Sequence, residues 1–310
     1  MTIQPQENQG EGFANGVFSS PSWCQVFAPS VQGLAIFKGK NPVAAFVLFY
    51  FKKYGKEVLI HPPFAPNCGL MQFSSHPKQY TKATELKRIL RTFAEYLQKE
   101  HSDSYIDIAL PSDIKDTQPF IQAGLKTDVG YTYLLNIEPD EDDLLANFSS
   151  ERRKNVKDAL KKKLSVEKDY NPDKVVARVQ QTLNNSGINY NYDYLRRIID
   201  GEFSYTISVI SGNDVAATAV IVFDSSRAYY VAGGTGKDPS MAGASALVLW
   251  EAIKEAKRRG IPTFDFCGSN VPSIEKFFRG FGGELTPYFR IKKNTVLPDM
   301  LKTAKKRFGI

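Results

Sequence analysis

Residues 227–283 read RAYYVAGGTGKDPSMAGASALVLWEAIKEAKRRGIPTFDFCGSNVPSIEKFFRGFGG. The aromatic and β-branched run at the start predicts a strand, and the glycine cluster after it predicts a tight turn. Before Gly260 and Pro262, which stop a helix, apolar residues recur at helical spacing: Ala246, Leu249, Trp250, Ile253 and Ala256. A short buried strand at residues 263–267 and a second helix at residues 273–281 follow. The stretch therefore predicts strand, glycine turn, helix, strand and helix.

The turn before the first of these helices has the features of an anion site. Free amides near residues 240–244 and the helix dipole favour an anion, and Gly243 would let a phosphate approach the backbone. A tight connection that binds no ligand explains the glycines equally well. Neither a P-loop pattern nor a Gly-x-Gly-x-x-Gly pattern occurs here, so a nucleotide site of either type is not predicted.

The composition is that of an ordinary globular chain with room for two domains. It has 310 residues and a net charge of +7, which favours acidic partners such as nucleic acid, phosphates or an anionic membrane surface. The three cysteines and three histidines are dispersed, so we expect neither a metal site nor Ser/His/Asp catalysis. No stretch is typical of a signal peptide or a membrane span, and the cysteine pattern favours a reduced, cytoplasmic setting.

The two halves of the chain share a pattern at a constant offset. Three pairs of residues are each separated by 158 positions (265 − 107 = 158): Asp107 and Asp265, Phe120 and Phe278, Gly124 and Gly282. An amphipathic helix precedes each aspartate, and a strand follows each glycine. We interpret the pattern as an internal duplication of one α/β domain.

The predicted organisation has four parts. Residues 1–15 are polar and are predicted to be a flexible tail. Residues 16–138 and 139–297 are predicted to be the two copies of the domain, the second carrying the ligand site. Residues 298–310 are predicted to form a basic C-terminal helix.

A basic stretch, residues 151–163, lies near the start of the second copy. Seven of its residues are Lys or Arg, while Val156, Ala159 and Leu160 give a narrow apolar stripe, so we expect a helix. Its charged face is either solvated or a phosphate-contacting surface for RNA or pyrophosphate.

Four stretches together resemble the FemAB family of aminoacyl-tRNA-dependent peptidyltransferases, whose domains have the GNAT N-acyltransferase fold. They are residues 151–163, 242–257, 264–268 and 273–283, and the likeness extends over roughly residues 17–293. The resemblance implies an α/β (α+β) chain of two tandem GNAT-like domains, each a mixed central sheet flanked by helices. It also implies an acyltransferase that forms an amide bond.

Two positions depart from the patterns of these families. Acetyl-CoA-binding GNAT proteins show Gln/Arg-x-x-Gly-x-Gly/Ala where the helix begins, and here Ser240 and Ser245 stand at the first and last positions. FemAB proteins have a Phe-Lys pair on the short helix, with the lysine near the reacting ester. Here the pair is Phe278-Arg279, in which Arg279 keeps the charge but cannot shuttle a proton, and Lys276 lies one turn away.

Acyl transfer needs a neutral amine, a polarised carbonyl and accurate positioning. We choose the candidate catalytic residues by these three requirements. Arg279 and Lys276 would stabilise a leaving 3′-oxygen or a neighbouring phosphate. Asp265 is a candidate base, although its position between two phenylalanines and its twin Asp107 also fit a structural role.

Donor or phosphate binding is predicted for residues at the strand end and the helix start: Ala232, Gly233, Met241, Ala242, Gly243 and Ala244. The predicted cleft-lining residues are Tyr229, Tyr230, Phe278 and Lys154, with one of the two tyrosines facing the cleft and the other the core. No metal ligand is predicted.

Three functions are open on the sequence alone. The first is transfer of an aminoacyl group from tRNA to an amine of a cell-wall or envelope precursor, with tRNA and a phosphorylated precursor as partners. The second is acyl-CoA-dependent N-acylation of an envelope sugar or polysaccharide precursor. The third is non-catalytic binding of RNA or a phosphorylated ligand. The altered pyrophosphate pattern favours the first over the second. Aminoacyl-tRNA or acyl-CoA would be a co-substrate, no cofactor is expected to be tightly bound, and an anionic membrane surface is a further expected contact.

Overall fold

The computed structural model describes residues 1–5, 16–53, 55–73, 76–162, 164–188, 190–236, 238–268 and 270–293. The chain divides into two compact units. Among the described residues, unit 1 comprises those within 1–130 and 287–293, and unit 2 comprises those within 131–286. The domain boundary at residue 138 stays a prediction. The expected C-terminal helix lies outside the described residues.

Unit 1 is a sheet with helices packed against it. Its elements are β1 (Thr2–Pro5), α1 (Pro21–Phe27), β2 (Val31–Lys38), β3 (Asn41–Lys53), β4 (Lys56–Ile60), β5 (Met71–Gln72), α2 (Gln79–Glu100), β6 (Tyr105–Ala109), α3 (Gln118–Gln122) and the start of β7 (Lys126–Asn136). The end of β13 (Glu284–Lys293) completes the sheet, in the order β1-β2-β3-β4-β6-β13, and β5 pairs with β3. β4 and β6 run parallel, and Ile89, Phe93 and Leu97 of α2 are buried in the core of this unit.

The first residues differ from the expected flexible tail. Thr2–Pro5 forms a strand that pairs antiparallel with β2, Ile3 lying opposite Ile36. The pairing gives the outer strand of this sheet backbone partners that a polar composition does not reveal. Residues 6–15 lie outside the described residues.

Unit 2 repeats this arrangement. Its elements are the rest of β7, α4 (Glu141–Asn147), α5 (Ser150–Leu160), β8 (Ser165–Lys168), α6 (Pro172–Asn185), α7 (Tyr192–Ile199), β9 (Ser204–Ser211), β10 (Asp214–Phe223), β11 (Arg227–Thr235), α8 (Ala244–Arg258), β12 (Thr263–Asp265), α9 (Pro272–Arg279) and the start of β13. The strand order is β7-β12-β11-β10-β9-β8, with β11 and β12 parallel. α8 is the central helix, and Leu249, Trp250 and Ile253 pack in the core.

The helix and strand boundaries of the two repeats show the same 158-residue offset as the sequence. β6 and β12 begin at residues 105 and 263, β7 and β13 begin at 126 and 284, and α2 and α8 end at 100 and 258, each 158 positions apart (263 − 105 = 158). The last strand of each repeat pairs within the sheet built mainly from the other repeat. Asp107 of β6 faces Lys292 of β13, and Asp265 of β12 faces Leu134 of β7. The β6–β13 and β12–β7 pairings are related by the same offset of 158 positions, so each repeat gives its last strand to the sheet of the other.

Candidate active site

The candidate site lies where β11 and β12 part. The two strands pair in parallel over residues 227–229 and 263–265. β11 then continues to Thr235 with a bulge at Val231, while the chain after β12 turns through Cys267 and Gly268. The parallel pairing ends at Tyr229 and Asp265, and among the described strands residues 230–235 of β11 have only β10 beside them. The predicted strand end, Ala232 and Gly233, lies in this last part of β11.

Aromatic rings from β11, from α9 and from the chain after β12 pack against one another. The rings of Tyr230 and Phe278 meet edge to face with centroids 5.9 Å apart, and Phe278 lies 5.0 Å from Phe266. The Tyr230 hydroxyl covers Gly233, since a Cβ there would lie 1.7 Å from that oxygen. Burial raises the pKa of Tyr230, so its hydroxyl stays protonated. Gly233 is therefore required for the tyrosine to lie flat along the strand.

The neighbouring tyrosine has different surroundings. Tyr229 is buried, and the Arg227 guanidinium lies 5.8 Å from its ring centroid. Since successive strand residues point to opposite faces, Tyr230 shares the face of Phe278 and Tyr229 does not.

The Asp265 carboxylate accepts hydrogen bonds from the turn that follows it and from β7. Its Oδ1 accepts hydrogen bonds from the Thr132 hydroxyl (2.6 Å) and from the Cys267 amide (2.8 Å). Its Oδ2 lies 3.7 Å from Arg227 Nη1. Asp265 is 4% exposed and lies on the face of β12 opposite to Phe266.

The two predicted cations lie on α9. Arg279 Nε is 3.3 Å from Glu275 Oε1, and 63% of the arginine side chain is exposed. Glu275 Oε1 also accepts a 2.6 Å hydrogen bond from the Tyr133 hydroxyl, whose pKa is raised by burial and by Glu275. Lys276 is exposed. Glu275 thus ties α9 to β7 and holds the Arg279 guanidinium near one position.

Two of the four predicted phosphate-binding amides before α8 donate hydrogen bonds within the turn. The Met241 amide donates to the Asp238 carbonyl over 2.9 Å, and the Ala242 amide donates to the Pro239 carbonyl over 3.1 Å. The Ala242 carbonyl accepts from Lys162 Nζ over 2.8 Å. These bonds close a short 3₁₀ turn, and Lys162 fixes it against the end of α5.

Gly243 and Ala244 contact protein rather than open space. Gly243 has φ +90°, and a Cβ there would lie 2.7 Å from the Asn155 carbonyl oxygen and 3.2 Å from Ala159 Cβ. Ala244 is fully buried. Gly243 is therefore needed for the close approach of α5 to α8. The role proposed for it in phosphate binding stays a prediction.

Hydroxyl groups bridge the end of β11 and the start of α8. Ser245 Oγ donates to Thr235 Oγ1 over 2.7 Å, and the Thr235 amide donates to Thr182 Oγ1 of α6 over 3.0 Å. Ser245 stands where the acetyl-CoA pattern has Gly or Ala. Its side chain therefore occupies space that this pattern leaves free.

Lys154 lies on the solvent side of α5. Its side chain is 75% exposed, and its ammonium donates a hydrogen bond to Asp158 one turn later, which raises the pKa of Lys154. Of the predicted cleft residues, the structure thus brings Tyr230 and Phe278 together, while Tyr229 and Lys154 have other neighbours.

Four residues at the site were not singled out from the sequence: Thr132, Tyr133, Cys267 and Glu275. A signal for Glu275 exists, because it precedes Arg279 by one helical turn. Thr132 and Tyr133 belong to the strand exchanged from the first repeat, so only the strand register reveals them. Burial and the neighbouring Asp265 raise the pKa of the Cys267 thiol, whose sulfur lies against the Tyr230 amide.

The corresponding position in unit 1 is filled. Ala109 lies 158 positions before Cys267; its amide donates to His61 Nδ1 (3.3 Å) and its carbonyl accepts from the Cys68 amide (2.9 Å). Burial and the nearby Arg290 lower the pKa of His61 to about 3, and burial raises that of Cys68 to about 12. The loop from His61 to Cys68 thus supplies hydrogen-bond partners to both backbone groups of Ala109 at the end of β6.

Within the described parts of the chain, no helix has the length and apolar character needed to cross a bilayer. The same residues contain no group of three or more His, Cys, Asp or Glu side chains placed to hold a metal ion.

Comparison with known proteins places the candidate site in a recognised domain. Residues 176–279 match the family described as an acetyltransferase (GNAT) domain. The solved structure of FemX is similar over 99% of this chain and 100% of its own, with 14% identity and a TM-score of 0.67. The chain has a tandem GNAT fold of the FemX type.

Two further structures are similar over most of this FemX-like chain. A tandem GNAT protein from the clavulanic acid biosynthesis pathway covers 96% of it and 99% of its own chain, with 11% identity and a TM-score of 0.51. The C-terminal domain of a putative lysylphosphatidylglycerol synthetase from Agrobacterium fabrum covers 88% and 87%, with 10% identity and a TM-score of 0.52. No curated protein matched the chain.

These findings confirm the expected fold of two tandem GNAT-like domains with mixed sheets and flanking helices. The GNAT domain match and this fold support an acyltransferase.

Proposed function

We propose that this FemX-like protein transfers an aminoacyl group from aminoacyl-tRNA to an amine of a cell-envelope precursor. The acceptor nitrogen attacks the ester carbonyl, the bond to the ribose 3′-oxygen breaks, and the proton lost by the amine goes to that oxygen or to solvent. The products are an amide and uncharged tRNA. A fold shared with FemX along the whole chain is consistent with this chemistry.

The observation that carries the choice of donor is the closed turn before α8. The Met241 and Ala242 amides donate within the turn, and α5 packs on Gly243. Ser245 and Thr235 add a hydroxyl bridge at the same place. A CoA pyrophosphate is bound by free amides at a helix start, and two of the four predicted amides donate within the turn instead, so this arrangement favours a donor that relies on them less.

Within the site, we assign the developing charge on the carbonyl oxygen to the backbone of β11 around residues 231–233. Donors placed where charge develops contribute the largest part of such catalysis. Tyr230 and Phe278 would exclude water from the aminoacyl group. Arg279, held by Glu275, would stabilise the leaving oxygen or the terminal phosphate, with Lys276 beside it on the same helix.

The exposed cations of α5 suit the nucleic-acid part of the donor. Lys154 and Lys157 of this helix and Lys161 at its C-terminal cap are exposed, and lysines neutralise phosphates by releasing counterions. Contact with an anionic membrane surface and with a phosphorylated precursor is proposed on the same charge argument.

An acyl-CoA-dependent N-acyltransferase is the second candidate. The match of residues 176–279 to the acetyltransferase domain favours it. The two candidates differ in the donor they consume.

Transfer assays with each donor distinguish the candidates. Purified protein is incubated with envelope-precursor peptides and either charged tRNA or acetyl-CoA, with and without ribonuclease. We expect RNase-sensitive amide formation from charged tRNA. Turnover that survives ribonuclease and requires acetyl-CoA would establish the second candidate instead.

Arginine variants test the assigned role of α9. We expect Arg279→Ala to lower kcat about 100-fold, as does loss of one charge-stabilising donor in other acyl-transfer sites. Arg279→Lys, which restores the family residue, should retain most of the rate. The matched control is Arg91→Ala on the exposed face of α2, which should leave kcat unchanged. An Arg279→Ala rate equal to that of the wild type would remove Arg279 from the site.

A further inference from the structure

The turn after β12 has a backbone conformation that needs support. Cys267 has φ +58° and Gly268 has φ +128°. The left-handed region is unfavourable for a residue with a side chain, so such a conformation persists only where surrounding bonds hold it.

Two buried side chains hold this turn. The Thr132 hydroxyl donates to Asp265 Oδ1 over 2.6 Å and accepts from the Gly268 amide over 3.1 Å. Asp265 Oδ1 also accepts from the Cys267 amide over 2.8 Å. Thr132 is 2% exposed and Asp265 is 4% exposed, so water cannot readily replace these bonds. Both amides of the turn are thereby fixed by one hydroxyl and one carboxylate.

The arrangement depends on the strand exchange. Thr132 lies on β7, which comes from the first repeat, whereas Asp265 and the turn come from the second. The residue 158 positions after Thr132 is Arg290, which forms an ion pair of 2.7 Å with Asp107 in unit 1. The strand of the first repeat therefore carries a hydroxyl at the position where the strand of the second carries an arginine, and in the described part of the chain this hydroxyl-bonded turn occurs in unit 2.

We propose that Thr132 and Asp265 are positioning residues of the acyl site, which hold the Cys267–Gly268 turn in place beside Tyr230, where the pairing of β12 with β11 ends. The link to catalysis rests on the proposed function. Asp265 then acts as an acceptor for two hydrogen bonds and not as the general base suggested by the sequence. The second repeat's site is incomplete without the residue supplied by the first.

Threonine variants test the turn directly. Thr132→Val removes the hydroxyl at nearly constant shape, Thr132→Ser restores it, and Thr206→Val is the matched control. Thr206 is buried on β9, and its hydroxyl has no hydrogen-bond partner in the described part of the chain. Thermal unfolding of each variant establishes that it is folded before the other measurements.

The first readout is alkylation of Cys267 by iodoacetamide, followed by peptide mass spectrometry. We expect Thr132→Val to raise the rate about tenfold, since two bonded groups lose their partner, while Thr132→Ser and Thr206→Val stay near wild type. An unchanged rate in Thr132→Val would overturn the proposal, whatever reaction the protein catalyses. Absence of aminoacyl transfer by the wild type would instead count against the proposed function.

The second readout is the split between kcat and KM in aminoacyl transfer. Thr132→Val should lower kcat about tenfold with little change in KM, and Thr132→Ser should restore it, because misplacement of a reacting group costs rate rather than binding. Asp265→Asn keeps an Oδ1 acceptor, so its kcat should fall less than about fivefold, whereas loss of a general base costs about 100-fold or more. A loss of that size in Asp265→Asn would show that Asp265 is the base and overturn the positioning role.

Discussion

Asp107 and Asp265 occupy the same position in the two repeats but have different partners. Asp107 is bound by Arg290, and Asp265 is bound by Thr132 and the Cys267 amide. The shared pattern of a buried acid on a short strand was visible in the sequence. The partners were not, because each comes from a strand whose register is set by the rest of the fold.

His61 makes unit 1 sensitive to pH. Its pKa is lowered from 6.5 to about 3, by burial first and by Arg290 second. The folded protein therefore holds the ring neutral while the unfolded chain protonates it below pH 6.5. This group's contribution to stability is present above pH 6.5 and is lost as the pH falls towards 3.

Urea unfolding at pH 7 and pH 5 measures this effect. From the 1.36 kcal/mol per pKa unit, we expect His61 to account for about 2 kcal/mol of the stability lost between these values. Between pH 7 and pH 5, the free energy of unfolding of His61→Asn should fall by about 2 kcal/mol less than that of the wild type. His76→Asn, at an exposed position, should lose as much as the wild type. Equal losses in His61→Asn and the wild type would contradict the prediction.

At the scale of elements, apolar periodicity was the most informative signal. The apolar residues at helical spacing before Gly260 lie on α8, and the basic stretch that begins at residue 151 forms most of α5. β1 was missed because an outer strand of four residues carries no periodic pattern long enough to see. The glycine turn before α8 was recognised, but the packing of α5 against it depends on tertiary contacts that spacing does not contain.

The two ends of α8 provide a matched pair of glycines. Gly243 and Gly260 both have positive φ, but only Gly243 has a neighbouring backbone oxygen where a Cβ would lie, and nothing lies within 4 Å of that position at Gly260. We expect Gly260→Ala to cost about 1 kcal/mol from conformation alone. Gly243→Ala should cost about 3 kcal/mol or more, because overpacking adds to the same conformational cost.

Chemical denaturation of the two variants gives the comparison. Similar free energies of unfolding for Gly243→Ala and Gly260→Ala would show that α5 does not press on the start of α8. The argument for a closed turn, and with it the preference against CoA, would then lose its main support.

At the scale of the whole molecule, the duplication was predicted and the strand exchange was not. Residues repeated at a fixed offset show that a domain is duplicated, but they do not show which copy a strand joins. β7 pairs with β12 and β13 pairs with β6, so each unit contains a strand from the other repeat.

This exchange predicts that the halves of the chain depend on each other. Fragments 1–138 and 139–310, expressed separately, should not unfold cooperatively, because β6 and β12 would each lack a sheet neighbour. Co-expressed fragments should purify as a one-to-one complex with a cooperative transition. A cooperative transition for either fragment alone, measured by circular dichroism on heating, would contradict the exchange as a stability requirement.

The central claim is that the donor is an aminoacyl-tRNA and not acyl-CoA, and thermal unfolding with each ligand tests it most directly. A ligand that binds the folded state raises the midpoint, so charged tRNA, uncharged tRNA, acetyl-CoA and CoA can be compared on one scale. We predict a rise with charged tRNA that is reduced in the Lys276→Ala, Arg279→Ala double variant, and no rise with acetyl-CoA. A rise with acetyl-CoA and none with any tRNA would contradict the account and identify a CoA-dependent acyltransferase.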